Sequence, residues 1–263
     1  MFNFCSLFSG SSGNSLFVQS DNTNILIDAG ESAKKIVNAL SSIDVSPDSI
    51  DAIVVTHEHI DHVKSIGTLS QKYNIPVYAT KKTWSAMPTQ SAKIDSKLQR
   101  IFYSSDNFYI GDLLLSPFSI PHDAADPCGF GICNNSKQIS IATDLGHITP
   151  EIYDNLSKSS FVLLESNYDP DILKFSKYPY YLKQRISSNY GHLSNIEAGK
   201  LISNLIYNNL NSVMLGHLSK ENNFPELAYK TVVDELITNN CDLSKIDINV
   251  ATRAQPSKII KIS

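Results

Sequence analysis

Three histidines and one aspartate crowd into a short stretch directly after the apolar run at residues 53–55. The stretch reads Thr56-His57-Glu58-His59-Ile60-Asp61-His62. An apolar run of this kind indicates a buried β-strand, and if the chain stays extended beyond it, His57, His59 and Asp61 share one face. A helix that begins one step later turns His62 toward a second ion. The stretch therefore predicts a loop that gives His57 and His59 to one metal ion and Asp61 and His62 to its neighbour.

Two alternatives exist for this stretch. A zincin helix needs the pattern H-E-x-x-H, but Asp61 stands where the second histidine should be. The other alternative is a solvated polar turn that holds three histidines by chance. Because sites in α/β proteins gather beyond the carboxyl ends of strands, the location of the stretch favours a metal site.

The remaining composition indicates an ordered globular protein. The chain has 263 residues, 42% of them apolar, and a formal net charge of −4. That length suits one domain over residues 1–263, and the charge excludes a histone-like or polybasic protein. The four cysteines form no C-x-x-C pair. We expect no signal peptide, because the first residues lack a basic stretch, and no membrane contact, so the predicted location is the cytoplasm with reduced thiols.

The hydrophobic pattern alternates between strand and helix periods along the chain. Strands are predicted at residues 15–19, 24–28, 52–56, 76–80, 108–110, 113–118, 129–133, 138–143, 161–165, 212–216 and 248–252. Helices are predicted at residues 33–42, 63–73, 194–207 and 225–238. This order of elements suits an α/β protein in which two mixed sheets are covered by helices.

Three later residues complete a pattern with the histidine-rich stretch. Each of His122, Asp144 and His217 follows a predicted strand. With H-x-H-x-D-H, they resemble the metal motifs of the metallo-β-lactamase superfamily. The resemblance implies a four-layer αββα sandwich in which His122 completes the first metal site, Asp144 bridges two ions and His217 binds the second ion. The implied ligands are His57, His59, Asp61, His62, His122, Asp144 and His217. Taken singly, His122 could also be a capped loop histidine and Asp144 a turn residue.

Two divalent cations at such a site would supply hydrolytic chemistry. A water bound to them loses its proton near neutral pH, and Asp61 would orient the resulting bridging hydroxide. A shared carboxylate offsets the repulsion between the two ions. Histidine and carboxylate ligands suit Zn²⁺ or Mn²⁺, with Fe²⁺ as a further candidate.

The residues around these motifs separate the branches of the superfamily. β-Lactamases are typically exported and often carry Cys where Asp144 stands, and the short segment after His217 leaves no room for the helical domain of glyoxalase II enzymes. The intervals 122–144 and 144–217 are too short for the RNase Z arm and the β-CASP domain. Yet Gly191-His192-Leu193-Ser194-Asn195 resembles the H-S-T element of RNase Z. That resemblance implies phosphodiester chemistry in which His192 gives a proton to the leaving oxygen.

Further stretches resemble YycJ/WalJ-type proteins along the whole chain. They are residues 9–15, 75–79, 122–127, 164–169, 191–195 and 217–223. The resemblance implies a binuclear metallo-hydrolase that acts as a 5′ to 3′ DNA exonuclease, encoded in many Gram-positive bacteria beside a two-component signalling system. Its expected partners are DNA ends, RNA ends as an alternative, and that signalling system. One position departs from the family: His147 stands where Tyr is expected, and an exposed loop histidine is the simpler interpretation there.

Residues 174–185 interleave four cations with four aromatic side chains shortly before His192. Cations neutralise phosphates and aromatic rings stack on unpaired bases, so the segment favours a nucleic-acid substrate. A solvated helix whose aromatic side chains pack on the core is the alternative. The small-residue loop at 11–14 offers backbone N–H groups for a terminal phosphate. The candidate substrate contacts are Ser12, Asn14, Lys183, Arg185 and Ser194.

Two other functions stay open at this stage. A hydrolase of the same fold could act on a thioester, a lactone or a cyclic nucleotide. A non-catalytic partner of the signalling system could also use this fold, since a fold does not establish an activity.

Overall fold

A computed structural model describes residues 1–262 and contains two sheets, each of seven strands. The first sheet has the order β14-β1-β2-β3-β4-β5-β6. Its strands are β1 (Asn3–Phe8), β2 (Ser15–Gln19), β3 (Asn24–Ile27), β4 (Ala52–Val54), β5 (Val77–Thr80), β6 (Gln99–Phe102) and β14 (Ile260–Lys261). Pairing is antiparallel from β14 to β3 and parallel from β3 to β6.

The second sheet has the order β13-β12-β11-β10-β9-β8-β7. Its strands are β7 (Phe108–Ile110), β8 (Leu113–Ser119), β9 (Cys128–Asn134), β10 (Lys137–Ala142), β11 (Phe161–Glu165), β12 (Ser212–Gly216) and β13 (Asp247–Val250). Pairing is antiparallel from β7 to β10 and parallel from β10 to β13. Both sheets are therefore mixed, as the sequence predicts.

Helices connect the strands and cover the outer faces of the sheets. They are α1 (Ala33–Ser41), α2 (Ile60–Val63), α3 (Ile66–Tyr73), α4 (Lys81–Ala86), α5 (Pro88–Ser91), α6 (Pro150–Leu156), α7 (Pro170–Phe175), α8 (Tyr180–Ile186), α9 (Asn195–Leu205) and α10 (Pro225–Thr238). Short 3-10 turns lie at Pro47–Ser49, Ser96–Leu98 and Leu243–Lys245. Over residues 1–262, no helix combines the length and the apolar character needed to cross a membrane.

Buried apolar side chains fill three separate layers. Between the first sheet and the helices α1 and α3 lie Ile36, Ile53 and Leu69. Between the two sheets lie Phe4, Ile25, Phe130 and Leu163. Between the second sheet and the helices α9 and α10 lie Ile202, Val213 and Val232. Three apolar layers separate four layers of secondary structure, so the predicted αββα sandwich is confirmed.

Successive side chains of a strand point to opposite faces, so β4 contributes side chains to two of these apolar layers. Ala52 and Val54 face the second sheet, whereas Ile53 packs toward the helices. A strand that is apolar on both faces must be interior to the sandwich, which is why the run at residues 53–55 carries no alternation of polarity.

The predicted helix over residues 63–73 is wrong in one respect, because it is two helices, α2 and α3. The helical hydrogen bonding is interrupted at Ser65, whose N–H donates to the carbonyl of Ala29 over 2.9 Å. The Ser65 hydroxyl also donates to the carbonyl of Glu31. These bonds to a neighbouring loop replace the bonds of a continuous helix, and the sequence pattern does not show them.

Candidate metal centre

The predicted metal ligands come from strand ends that meet at one edge of the sandwich. The segment after β4 carries His57 and His59 in a loop and Asp61 and His62 in α2, and the other ligands follow β8, β10 and β12. These strands run in the same direction within their sheets, so their carboxyl ends share an edge. All seven predicted ligands fall within groups that could hold a metal ion.

The first group contains three histidines. The Nδ1 atom of His59 lies 3.1 Å from Nε2 of His57 and 3.3 Å from Nε2 of His122. His57 is fully buried and His122 is buried, whereas His59 is half-buried at the start of α2. Three ring nitrogens so close together cannot all be satisfied by protons, and a cation accepts all three lone pairs.

Hydrogen bonds on the far side of two of these rings fix their tautomers. The Thr56 hydroxyl donates to Asp28 over 2.8 Å, so its oxygen accepts from Nδ1 of His57 over 3.0 Å. Nδ1 of His122 donates to the carbonyl of Gly191 over 3.3 Å. Both rings therefore carry the proton on Nδ1 and present a bare Nε2 to the centre. Burial lowers the pKa of His57 well below its usual value, and His62 acts in the same direction, which keeps the ring neutral.

The second group contains Asp61, His62 and His217. The Oδ2 atom of Asp61 lies 3.6 Å from Nε2 of His62 and 3.8 Å from Nε2 of His217. Nδ1 of His62 lies 2.7 Å from Asp28, and Nδ1 of His217 lies 2.7 Å from Glu165. Because carboxylates hold both Nδ1 protons, the Nε2 atoms again face the centre. The sequence expects Asp61 to share a face with His57, but α2 begins at residue 60, so Asp61 lies with His62.

Asp144 lies between the two groups. Its Oδ2 is 3.3 Å from Nε2 of His62, and its Oδ1 is 3.9 Å from Nε2 of His122. Burial alone would raise the pKa of Asp144, but His217 and His62 lower it well below its usual value, so the carboxylate is ionised. A buried anion in contact with both groups has the position that a bridging ligand requires.

Two orphaned atoms test whether this centre suits a metal. Oδ2 of Asp144 and Nε2 of His217 are buried and have no hydrogen-bond partner among residues 1–262. Buried polar atoms without partners destabilise a fold, and coordination of a cation satisfies both atoms. Imidazole nitrogens together with carboxylate oxygens suit divalent transition metals. The residues therefore fit divalent cations.

Three residues at this edge hold strained backbones. Asp28 and His217 directly follow β3 and β12, Asp144 stands two residues after the end of β10, and their φ angles are 63°, 52° and 59°. Residues other than glycine adopt this left-handed region uncommonly, at a cost that the surrounding contacts must offset. Such strain is concentrated at functional sites, and here it turns each side chain out of its strand and into the centre.

Sequence reasoning missed the roles of Asp28 and Glu165. Asp28 accepts hydrogen bonds from the Thr56 N–H and from His62, over 2.8 Å and 2.7 Å. Glu165 holds His217 and also lies 2.8 Å from Nδ1 of His192. Burial would raise the pKa of Glu165, but His192 and His217 lower it to about 2. A signal was available, because each acid ends an apolar strand that is otherwise free of charge.

His192 lies beside the metal centre. Its ring centroid is 5.5 Å from that of His122 and 5.4 Å from that of His217, and its side chain is 18% exposed. Burial would lower the pKa of His192, but the Glu165 carboxylate raises it. The ring therefore borders the centre while it keeps access to solvent.

The candidate substrate contacts are placed differently from one another. Ser12 is exposed, but Asn14 is buried, with Nδ2 3.0 Å from Nε2 of His62. The N–H groups of Gly13 and Asn14 donate to carbonyl oxygens of the fold, so they are not free to bind a phosphate. The Ser194 hydroxyl caps α9 in a capping box with Glu197.

The two predicted cationic contacts lie on α8. Lys183 donates to the carbonyls of Lys174 and Ser176, each over 2.7 Å. Arg185 forms an ion pair with Asp123 over 2.6 Å. His147, for which the sequence gives no role, lies 3.0 Å from the carbonyl of Asn189 through Nδ1.

Comparison with known proteins agrees with this geometry. The profile of the beta-lactamase superfamily domain matches residues 23–213. Exodeoxyribonuclease WalJ of Streptococcus pneumoniae is 38% identical over 237 residues, which cover 89% of this chain and 88% of WalJ. The chain belongs to the WalJ/YycJ family of the beta-lactamase superfamily. Exodeoxyribonuclease YycJ of Bacillus anthracis, of the same family, is 35% identical over 229 residues, or 87% of each chain.

A solved structure extends the agreement to the fold of the superfamily. YhfI of Bacillus subtilis, a metallo-beta-lactamase fold protein, superposes with a TM-score of 0.70 and 15% identity, over 97% of this chain and 99% of YhfI. The family and the fold implied by the sequence motifs are both confirmed.

Proposed function

We propose that this chain is a binuclear-metal phosphodiesterase that removes nucleotides from the 5′ ends of DNA. The chain is a metal-dependent hydrolase of the WalJ/YycJ family, and the WalJ and YycJ relatives are named exodeoxyribonucleases. The observation that carries the proposal is the position of Asp144 between the three-histidine group and the Asp61–His62–His217 group. One buried anion shared by two sets of ligands suits a pair of cations.

The metal ligands divide between two cations in this proposal. His57, His59 and His122 would hold the first, and Asp61, His62 and His217 the second, with Asp144 shared. Bound divalent cations supply Lewis-acid activation of a water molecule and neutralise charge on the attacked phosphate. Zn²⁺ and Mn²⁺ are the proposed metals, with Fe²⁺ as a further candidate.

The side chains of this chain supply orientation and a proton. Asp61 is partly exposed, with 23% of its side chain accessible, and its carboxylate can accept a hydrogen bond from the attacking water. His192 would give its proton to the departing 3′ oxygen, because Glu165 holds Nδ1 and leaves the other ring nitrogen for the substrate. Acid and nucleophile would then act on opposite sides of the same phosphate.

Exposed groups near His192 support a nucleic-acid substrate over a small ester. Phe175, Tyr180 and Tyr181 are 79%, 74% and 73% exposed, so these rings do not pack on the core. They lie among the cations of residues 174–185, and the combination suits phosphates and unpaired bases. We also propose a cytoplasmic location, where the four free cysteines would stay reduced.

A polarity assay tests the proposal. The protein, loaded with Mn²⁺ or Zn²⁺, is incubated with duplex DNA labelled at the 5′ end or at the 3′ end, with and without a 5′ phosphate. The expected result is early release of the 5′ label as a mononucleotide and late release of the 3′ label. Matched RNA, a thioester, a lactone and a cyclic nucleotide are the comparison substrates. Faster turnover of any of them, or early release of the 3′ label, would contradict the proposal.

A further inference from the structure

Helices α7 and α8 enclose a groove, and the C-terminal end of α8 contacts the segment that carries His192. The cavity has a volume of about 610 Å³. Residues that line it include Tyr168, Lys174, Tyr178, Tyr180, Lys183 and Gln184. We call it the α7–α8 groove. Its wall combines aromatic rings with two lysines, which is the chemistry of a surface that binds both bases and phosphates.

The groove has a fixed floor. Tyr168, Leu173 and Ile186 form a small buried cluster of their own, against which Tyr178 and Leu182 pack. Tyr180 and Tyr181 take no part in this cluster and stay exposed. The structural need for apolar contacts is met by the buried cluster, so the ring of Tyr180, which lines the groove, is free to contact a ligand.

The C-terminal end of α8 connects the groove to the metal centre. The N–H of His192 donates to the carbonyl of Ile186 over 2.9 Å. Arg185 pairs with Asp123, whose Oδ1 lies 3.4 Å from Nε2 of His122. The helix therefore runs outward from the candidate ligands and the candidate proton donor.

Helix α8 presents one face to the groove and another to the metal centre. Tyr180, Lys183 and Gln184 line the groove, whereas Arg185 lies outside it and pairs with Asp123. Gln184 donates to the hydroxyl of Tyr180 over 2.9 Å, which orients that ring. Lys183 is held by the carbonyls of Lys174 and Ser176 and keeps its positive charge at the groove. The groove therefore combines an oriented aromatic ring with a fixed cation.

We propose that the α7–α8 groove binds the unpaired strand of DNA next to the scissile phosphate. This inference rests on the proposed function, because it specifies the substrate of the same site. Tyr180 stacks on a base in the groove, Lys174 and Lys183 neutralise the adjoining phosphates, and Arg185, outside the groove, contacts the phosphate nearest the metal centre. Stacking needs separated bases, since a paired base offers its face only to its neighbours in the duplex. The enzyme thus acts on single-stranded or frayed ends.

A binding experiment tests the groove independently of cleavage. The metal-loaded protein is titrated with two fluorescein-labelled probes, a phosphorothioate-linked oligothymidylate that resists hydrolysis and a dumbbell duplex without free ends. Tyr180→Ala and Lys174→Ala should each raise the Kd for the single strand about tenfold, and the double variant about a hundredfold. The dumbbell Kd should not change. Tyr181→Ala is the matched control, because Tyr181 is also an exposed tyrosine of α8, at 73%, and lies outside this groove.

A kinetic experiment separates this inference from the proposed function. The double variant should hydrolyse bis(p-nitrophenyl) phosphate at the wild-type rate, because that ester is too small to reach the groove, while its KM for single-stranded DNA rises and kcat stays the same. An unchanged oligothymidylate Kd, or an equal loss of dumbbell binding, would overturn the inference. If wild-type protein fails to cut DNA while the groove variants still weaken single-strand binding, the proposed function fails and the groove stands.

Discussion

Glu165 and His192 form a direct contact, with Oε1 of the glutamate 2.8 Å from Nδ1 of the histidine. The same oxygen lies 2.7 Å from Nδ1 of His217. The other oxygen of Glu165 accepts the N–H groups of Leu145 and Leu193, over 2.9 Å and 3.1 Å. A single buried carboxylate thus orients a candidate metal ligand and the candidate proton donor together, and both rings depend on its charge.

Glu165→Gln should reduce turnover about 10- to 100-fold. The glutamine has nearly the same shape, but it lacks the negative charge that favours the protonated form of His192. Its amide also has one oxygen instead of two acceptors. The measurement is kcat on DNA together with metal content. Glu151→Gln is the control, since Glu151 is exposed and belongs to none of the candidate metal-binding groups. Wild-type turnover in Glu165→Gln would contradict the role of this carboxylate.

Asp144→Ala and His192→Ala should separate metal binding from proton transfer. Removal of Asp144 takes away the anion that contacts both groups of ligands, so metal content and activity should fall together. Removal of His192 should leave the metal in place and reduce turnover by about 10²- to 10⁴-fold, the range of general acid catalysis. Elemental analysis and single-turnover cleavage are the measurements. Equal metal loss in both variants would show that His192 is a ligand instead of an acid.

The sequence predicts the fold and the metal ligands because both depend on local patterns. Period-two and helical spacing identify most strands and the helices α1, α3, α9 and α10, and H-x-H-x-D-H places His57, His59 and His62 within one short segment. The strands β6 and β14 and the short helices α4 to α8 do not follow from these patterns. The strand β1 was also missed, because its residues were considered only as a possible signal peptide. Its burial on both faces removes the polarity alternation that marks a strand.

The supporting residues of the site could not be predicted in the same way. Asp28 and Glu165 act through partners that lie 34 and 52 positions away, His62 and His217, and no local spacing records such contacts. The left-handed backbone of Asp144 is likewise fixed by tertiary contacts, because its residue type gives only a weak preference for that conformation.

Gly191→Ala should reduce activity more than stability. A Cβ atom at this position would lie 2.2 Å from the carbonyl oxygens of both Arg185 and Ile186, which are backbone atoms that cannot turn aside. The loop must then move away from α8 and carry His192 with it. We expect a loss of kcat on DNA and a lower metal content, because the Gly191 carbonyl that holds Nδ1 of His122 moves with the loop. Gly131→Ala is the comparison, because its Cβ would meet only the side chain of Gln138. Similar kcat in both variants would contradict the requirement for close contact at Gly191.

Asp112→Asn should destabilise the fold in a pH-dependent manner, far from the metal centre. Hydroxyl groups of Ser20 and Thr23, in the turn between β2 and β3, donate to this carboxylate in the turn between β7 and β8, and they lower the pKa of Asp112. A carboxylate whose pKa is lower in the folded chain stabilises it above the unfolded pKa, and this stabilisation is lost as the pH falls through the folded pKa.

The free energy of unfolding of Asp112→Asn should therefore be about 1 kcal/mol lower than that of wild type at pH 7, because solvent screens part of the interaction of this carboxylate. The difference should shrink below about pH 4, where the wild-type carboxylate becomes protonated. Urea unfolding at pH 7 and below about pH 4 measures this difference in unfolding free energy. Asp106→Asn, at an exposed turn, should have no effect at either pH. A difference that stays constant with pH would show that the charge of Asp112 does not contribute to stability. Only an ionised carboxylate makes the difference in unfolding free energy depend on pH.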